Sequence, residues 1–261
     1  MNGASTVYLM YHELEVSGRQ LCLSEPGYRR YVVTEARFRQ QLAHIKENGF
    51  RGLNVTEALE SSNAKQRGIA ITFDDGSETD FTVAAPALRE TGFNATFNVV
   101  LDFLGRRGYL SIAQLRELSR LGFEIGCHSM THTYLTDLGP DRLHFETVEA
   151  KDRLEQLIGR RVDHFSCPGG RWNRRVSEIA EEAGYRSVAT SRIAANSPTA
   201  NPFRLARVVV MRATTMDDLD DICCGRGLFV RQARVAILAA AKSALGNSVY
   251  EKVRSGVLGS N

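Results

Sequence analysis

No stretch of this 261-residue chain reaches the roughly 18–20 consecutive apolar residues that a membrane-spanning helix needs. Nor does the opening "MNGASTVYLMYH" carry the basic start and long apolar stretch of a secretion signal. Cysteine is sparse and scattered: five residues, at 22, 127, 167, 223 and 224, make an odd set and no disulfide framework. Cys223 and Cys224 are adjacent, too close for the Cys-x-x-Cys spacing of a zinc site. Together these absences predict a reduced, cytoplasmic setting. Low-complexity linkers and internal repeats are also missing. A strong overall charge is missing too: the net value is +3, and it is uneven. Residues 222–261 carry six basic side chains and one acid, +5, which leaves −2 for residues 1–221. The body of the chain is therefore no nucleic-acid surface.

The composition that is present, 43% hydrophobic and 24% charged, is that of an ordinary globular protein. Short apolar runs alternate with helical patterns. Strands are predicted at Thr6–Tyr11, Ile69–Phe73, Ala95–Val99, Phe123–Cys127, Val162–Ser166, Arg186–Thr190 and Leu205–Met211. Phe38, Leu42 and Ile45 mark one helical face. Ser111 with Gln114 forms a capping box, Pro140 can open another helix, and Asn173 can cap "RRVSEIAEEAG". Strand–helix alternation implies a parallel sheet covered by helices. Seven such units predict an α/β fold, a distorted (β/α)7-type barrel over residues 1–221, with 222–261 as a basic helical extension. A doubly wound open sheet is the architectural alternative.

In barrels of this kind function sits where strands end. His12 follows the first strand, and Asp74 and Asp75 of "TFDDG" follow the second. His128 and His132 of "HSMTH" follow the fourth, and Pro168-Gly169-Gly170 follow the fifth. Adjacent carboxylates repel, so their pairing needs a reason beyond an Asp-Gly turn. A spacing of four puts two imidazoles on one face of a helical turn, where both can reach one ion. Two histidines and an aspartate leave a fourth position open, as catalytic zinc sites do. One aspartate can then bind the cation while the other stays free as a base, the metal charge offsetting their repulsion.

"TFDDG", "HSMTH" and "FSCPGG", in this order, resemble the first three motifs of the polysaccharide deacetylases of carbohydrate esterase family 4, the NodB-homology fold. The resemblance spans roughly residues 6–211. It implies a metal-dependent hydrolase that removes an acetyl group from an amino sugar, whether free, polymeric or carrier-linked. By position it makes Asp74 the general base and Asp75, His128 and His132 the ligands of one divalent ion. That ion is zinc by ligand type, with cobalt, manganese or nickel as substitutes. It makes the backbone N–H of Gly169 the donor to the tetrahedral oxyanion. The general acid is usually a late histidine, but no histidine follows residue 164. The N-terminal "YLMYH" resembles the branch that supplies the acid from the first strand, here His12. Many members also place an arginine two residues before the proline to orient the base. That position is Ser166 here, leaving Arg171 or Arg207 as stand-ins. Trp172, the single tryptophan, falls in a rim loop where it could stack on a sugar or simply pack.

Two other readings fit the same residues: a hydrolase of cyclic amides or imides, and a carbohydrate-binding relative without catalysis. In the extension, "GLFVRQARVAILAAAKSALGNSVYEKVRSGVLG" (227–259) can place Val230, Ala233, Ile237, Ala241 and Ala244 on one helical face. Such a helix would pack on the barrel or rest on an anionic membrane surface.

Overall fold

In a strand, successive side chains point to opposite faces, and this alternation builds the interior of the molecule. The computed structural model describes residues 5–61 and 67–237. Its strands are β1 (Val7–Tyr11), β2 (Leu14–Glu15), β3 (Val33–Thr34), β4 (Arg51–Leu53), β5 (Gly68–Phe73), β6 (Thr96–Val99), β7 (Glu124–Cys127), β8 (His164–Ser166), β9 (Ser187–Ala189) and β10 (Val208–Val209). Eight of them form one curled sheet in the order β10-β1-β5-β6-β7-β8-β9, with β4 also on β5. All its ladders are parallel. The small pair β2-β3 stands apart. Beyond β9, Ala189 bridges Leu205, two residues before Arg207. The segment running from Leu205 into β10 therefore bonds first to β9 and then to β1, and closes the barrel.

The helices are α1 (Pro26–Arg29), α2 (Glu35–Glu47), α3 (Val55–Glu60), α4 (Ala85–Thr91), α5 (Ile112–Arg120), α6 (Pro140–His144), α7 (Ala150–Ile158), α8 (Arg174–Glu182) and α9 (Met216–Cys223). α2 buries Phe38, Leu42 and Ile45. The Ser111–Gln114 capping box opens α5, Pro140 opens α6, and the Asn173 side chain caps α8. β4 went unpredicted, since three residues carry too little pattern. The expected strand Leu205–Met211 shrinks to β10 because that segment changes neighbours partway along.

Register explains the site. Tyr11 pairs with Phe73, and Phe73 with Phe97. These rings face the helices and touch: centroids lie 5.3 Å apart for Tyr11–Phe73 and 5.1 Å for Phe73–Phe97, with Phe38 edge-on to Tyr11 at 5.2 Å. Each such pair contributes about 0.5–1.5 kcal/mol beyond area burial. The alternate residues face the opposite way, into the barrel. Tyr8, Ala70 and Leu205 fill its lower end with Leu53, Val55 and Ala58. Above this plug come Thr72, Asp74, Asn98, His128, Ser166 and Arg207, all less than 4% exposed.

The 221/222 division falls inside α9, whose Ile222 and Cys223 belong to the main core. Residues 228–237 are helical. Leu228 is buried, Ile193 N–H donates to Gln232 Oε1 at 2.7 Å, and Arg231 pairs with Asp218. Arg226 pairs with both Asp220 and Asp221. Phe229, Val230 and Ile237 are exposed. Ala241, Lys242, Ala244, Lys252 and Arg254 of the predicted extension lie outside the described residues. Among the described residues no helix is long and apolar enough to cross a membrane.

Candidate metal and catalytic site

The two aspartates at the end of β5 have opposite environments. Asp74 is 2% exposed, and four donors hold its carboxylate. Arg207 forks onto it, Nη1 to Oδ1 and Nη2 to Oδ2, both at 2.8 Å. Asn98 Nδ2 donates to Oδ1 at 2.8 Å and Ser166 Oγ to Oδ2 at 3.1 Å. Burial alone would raise the Asp74 pKa. The Arg207 charge outweighs that and holds the group well below the usual carboxylate range. Arg207 is itself tied to Thr72 Oγ1, the Thr190 carbonyl and Ser166 Oγ. Gly126 makes part of this possible. It pairs with Asn98 across β6-β7, and a Cβ there would lie 2.1 Å from Asn98 Oδ1. Only glycine lets the Asn98 amide pass on its way to Asp74.

Asp75 has a left-handed backbone, φ 81°, which an L-residue adopts at a cost. Its carboxylate pairs with the two histidines, whereas Arg207 pairs with Asp74. Oδ1 is buried with no hydrogen-bond partner. Burial, reinforced by the Asp74 charge, pushes its pKa up to about 6. Two imidazole nitrogens lie close to Oδ1: His132 Nε2 at 3.4 Å and His128 Nε2 at 3.6 Å.

The histidines reach this point without a helix, contrary to the reading of "HSMTH" as a helical turn. The segment after β7 is a loop in which Ser129 (φ 70°) and His132 (φ 65°) are both left-handed. The chain must reverse on leaving the strand, and two left-handed residues turn it more tightly than a helix can. Ser129 Oγ accepts from His132 N at 3.0 Å. From outside, the buried Glu146 carboxylate accepts from Thr131 N at 2.8 Å and Thr131 Oγ1 at 2.7 Å. His128 Nδ1 lies 2.8 Å from the Ser166 carbonyl, so it must donate its proton there, leaving the Nε2 lone pair for a ligand. Burial lowers the pKa of His128 to about 3 and lowers that of His132 as well.

One donor atom each from Asp75, His128 and His132 lies within 4.8 Å of the others. Tetrahedral ligands at zinc bond lengths are separated by about 3.4 Å, close to the two carboxylate–imidazole distances. The residues fit a divalent ion. An orphaned buried carboxylate oxygen and two neutral imidazoles are groups that a cation satisfies, and the set leaves a coordination position open.

The other predicted residues sit on the same rim. His12 follows β1, its ring 5.2 Å from Tyr31, with Nδ1 buried and unpartnered. Gly169 is left-handed, φ 59°, exposed, and without a protein acceptor for its N–H among the described residues. Arg171 does not approach Asp74. Its guanidinium lies 3.9 Å from the Tyr134 ring centroid and 3.4 Å from Asp137. Trp172 is part-buried, packs on the core and donates Nε1–H to the Phe203 carbonyl at 2.8 Å.

Comparison with known proteins adds to this geometry. A sequence model described as Polysaccharide deacetylase matches residues 61–188. The putative polysaccharide deacetylase YxkH of Bacillus subtilis is 27% identical over 206 residues, covering 77% of this chain and 70% of that protein. The peptidoglycan-N-acetylglucosamine deacetylase of Bacillus cereus is 35% identical over 121 residues, 46% of this chain and 54% of its own length. The structure of the Streptococcus pyogenes deacetylase PplD in complex with acetate superposes with a TM-score of 0.74 at 25% identity, over 85% of this chain and all but 1% of that one, a 99% share. With the three motifs at the strand ends of the same curled barrel, the chain is similar to the polysaccharide deacetylases in sequence over residues 61–188 and in fold over most of its length.

Proposed function

We propose that this protein is a metal-dependent hydrolase that removes the N-acetyl group of an amino sugar. One observation carries the reading: two adjacent carboxylates divided between a cationic clamp and an imidazole pair. Asp75, His128 and His132 would hold the ion, zinc by ligand type. When bound, such an ion supplies Lewis acidity toward an acetyl carbonyl and makes water easier to deprotonate. Everything else falls to the chain.

Asp74 stays ionised because Arg207, Asn98 and Ser166 stabilise its charged form, and it lies outside the ligand set. It takes the proton of the attacking water. Its Oδ2 is 3.8 Å from His128 Nε2, so the base stands beside the metal position. The Gly169 N–H, exposed on the rim, donates to the oxyanion as the carbonyl becomes tetrahedral. The departing amine needs a proton, and the reading gives that role to His12, the imidazole that follows β1. The named activities of the relatives support an amino-sugar substrate. Peptidoglycan N-acetylglucosamine, peptidoglycan N-acetylmuramic acid and chitooligosaccharide deacetylases are among them.

The test is acetate release from a panel of N-acetylated sugars, run beside a cyclic-imide panel, with wild type and His12→Ala. Wild type should release acetate from at least one sugar class. His12→Ala should lose about 10²–10⁴-fold on that substrate. On an activated acetate ester, whose leaving group needs little protonation, it should lose much less. Equal losses on both substrates would remove His12 from the role of acid, and turnover of imides alone would replace the sugar reading.

A further inference from the structure

Tyr134, two residues beyond the metal loop's His132, takes no part in the scheme above, yet it touches the element that supplies the oxyanion donor. We propose that Tyr134 is a positioning residue for the Gly169 N–H; the inference rests on the deacetylase reading and names a further part of that site.

The argument starts from the turn at 168–171. Gly169 (φ 59°) and Gly170 (φ 66°) are both left-handed, with only the short bonds Gly170 N–H to Cys167 O (2.8 Å) and Arg171 N–H to Pro168 O (3.3 Å) across them. Two consecutive glycines have wide conformational freedom, so this peptide needs outside support to aim its N–H at one point. Tyr134 provides it. A Cβ on Gly169 would meet Tyr134 Cε1 at 2.6 Å, so the ring occupies the space a side chain there would take. Arg171, at the far end of the turn, lays its guanidinium on the same ring at 3.9 Å and reaches Asp137 behind it at 3.4 Å. The ring is thus held between the two ends of the Gly-Gly turn.

Its own backbone is fixed as well. Tyr134 precedes the short 3-10 turn Leu135–Asp137, whose Leu135 is fully buried. Through residues 132–134 it is continuous with the metal ligand His132. Tyr134 therefore sets the distance between the loop that carries a metal ligand and the peptide that carries the oxyanion donor. Preorganised donors matter because displacement by about an ångström costs up to about 10²-fold in rate. The ring carbons make the contact, so an aromatic ring suffices and the phenol oxygen is dispensable.

The experiment compares Tyr134→Phe, Tyr134→Leu and Tyr134→Ala in the full chain loaded with zinc. Steady-state kinetics on the best N-acetyl sugar is read beside metal content and hydrogen–deuterium exchange of the peptide spanning 165–173. Tyr134→Phe should match wild type. Tyr134→Ala should lose about 10- to 100-fold in kcat with KM within a few-fold and metal content unchanged, and its 165–173 amides should exchange faster. Tyr134→Leu, which keeps bulk and the buried neighbour, should fall between and guards against an alanine variant that fails to fold. A rise in KM alone would make Tyr134 a sugar contact and overturn the inference. So would loss of metal, or unchanged exchange across 165–173. Because exchange is read without substrate, a wild type inactive on every sugar would defeat the deacetylase reading while leaving the positioning contact tested.

Discussion

Asp74→Asn should abolish useful turnover, by about 10²–10⁴-fold, while the protein still binds its metal. The amide has the shape of the carboxylate but cannot accept a proton at neutral pH. It also presents an NH2 group where every neighbour is a donor: the Arg207 fork, Asn98 Nδ2 and Ser166 Oγ. None of these is a metal ligand, and the Asp75–His128–His132 set is untouched. Activity and zinc content should therefore separate. Asp75→Asn should show the converse, weakened metal binding, because it alters the orphaned oxygen between the two imidazoles. Equal metal loss in the two variants would refute the division of labour. The assay belongs at a temperature where circular dichroism shows Asp74→Asn folded, since the exchange leaves a buried guanidinium without its counter-charge.

The second large effect lies at that guanidinium. Arg207 is 1% exposed and joins three strand ends through Thr72, Asp74, Ser166 and the Thr190 carbonyl. Arg207→Met fills most of the volume but leaves Asp74 as a buried, uncompensated carboxylate. Breaking a buried pair from one side costs about 3–5 kcal/mol, a large share of a domain's stability. Activity should fall with it, because an unpaired buried carboxyl holds its proton and no longer serves as a base. Arg207→Lys keeps the charge but loses the two-pronged geometry, so it should be intermediate in both respects. Urea unfolding with acetate release on the folded fraction reads both effects. If Arg207→Met equalled wild type in stability and rate, the clamp would have no role.

What the sequence showed and what it hid follow from distance along the chain. Asp74, Asp75, His128 and His132 were legible because each lies in a short motif at a strand end. The buried face of α2 was legible from its periodicity, and the start of α8 from its Asn173 cap. Arg207 was named only as one of two stand-ins beside Arg171, and nothing local chose between them: it is 133 residues from Asp74, inside "RLARVVVMR", and an arginine in an apolar run reads as a solvated or ion-paired edge. The clue was parity. Arg207 is level with Tyr8 across β1-β10, on the same face as Met10 and His12. Only the register of a closed barrel turns that parity into a contact. Asn98 needed the same register, plus a glycine on the neighbouring strand. Glu146, which holds the metal loop through Thr131, gave no local signal either, because its partners come from an earlier loop. The "HSMTH" spacing was read correctly as convergent but wrongly as helical. Two left-handed residues bring the imidazoles together, and no periodicity announces them.

The central claim is that Asp75, His128 and His132 hold a divalent ion on which acetyl-sugar hydrolysis depends. The most direct measurement strips the purified protein with a chelator, then titrates a divalent ion back while following acetate release and bound metal together. The account predicts that activity disappears with the metal and returns in proportion to it, saturating near one ion per chain. His128→Ala should recover neither. Acetate release that survived complete removal of metal, or that returned fully in His128→Ala, would contradict it.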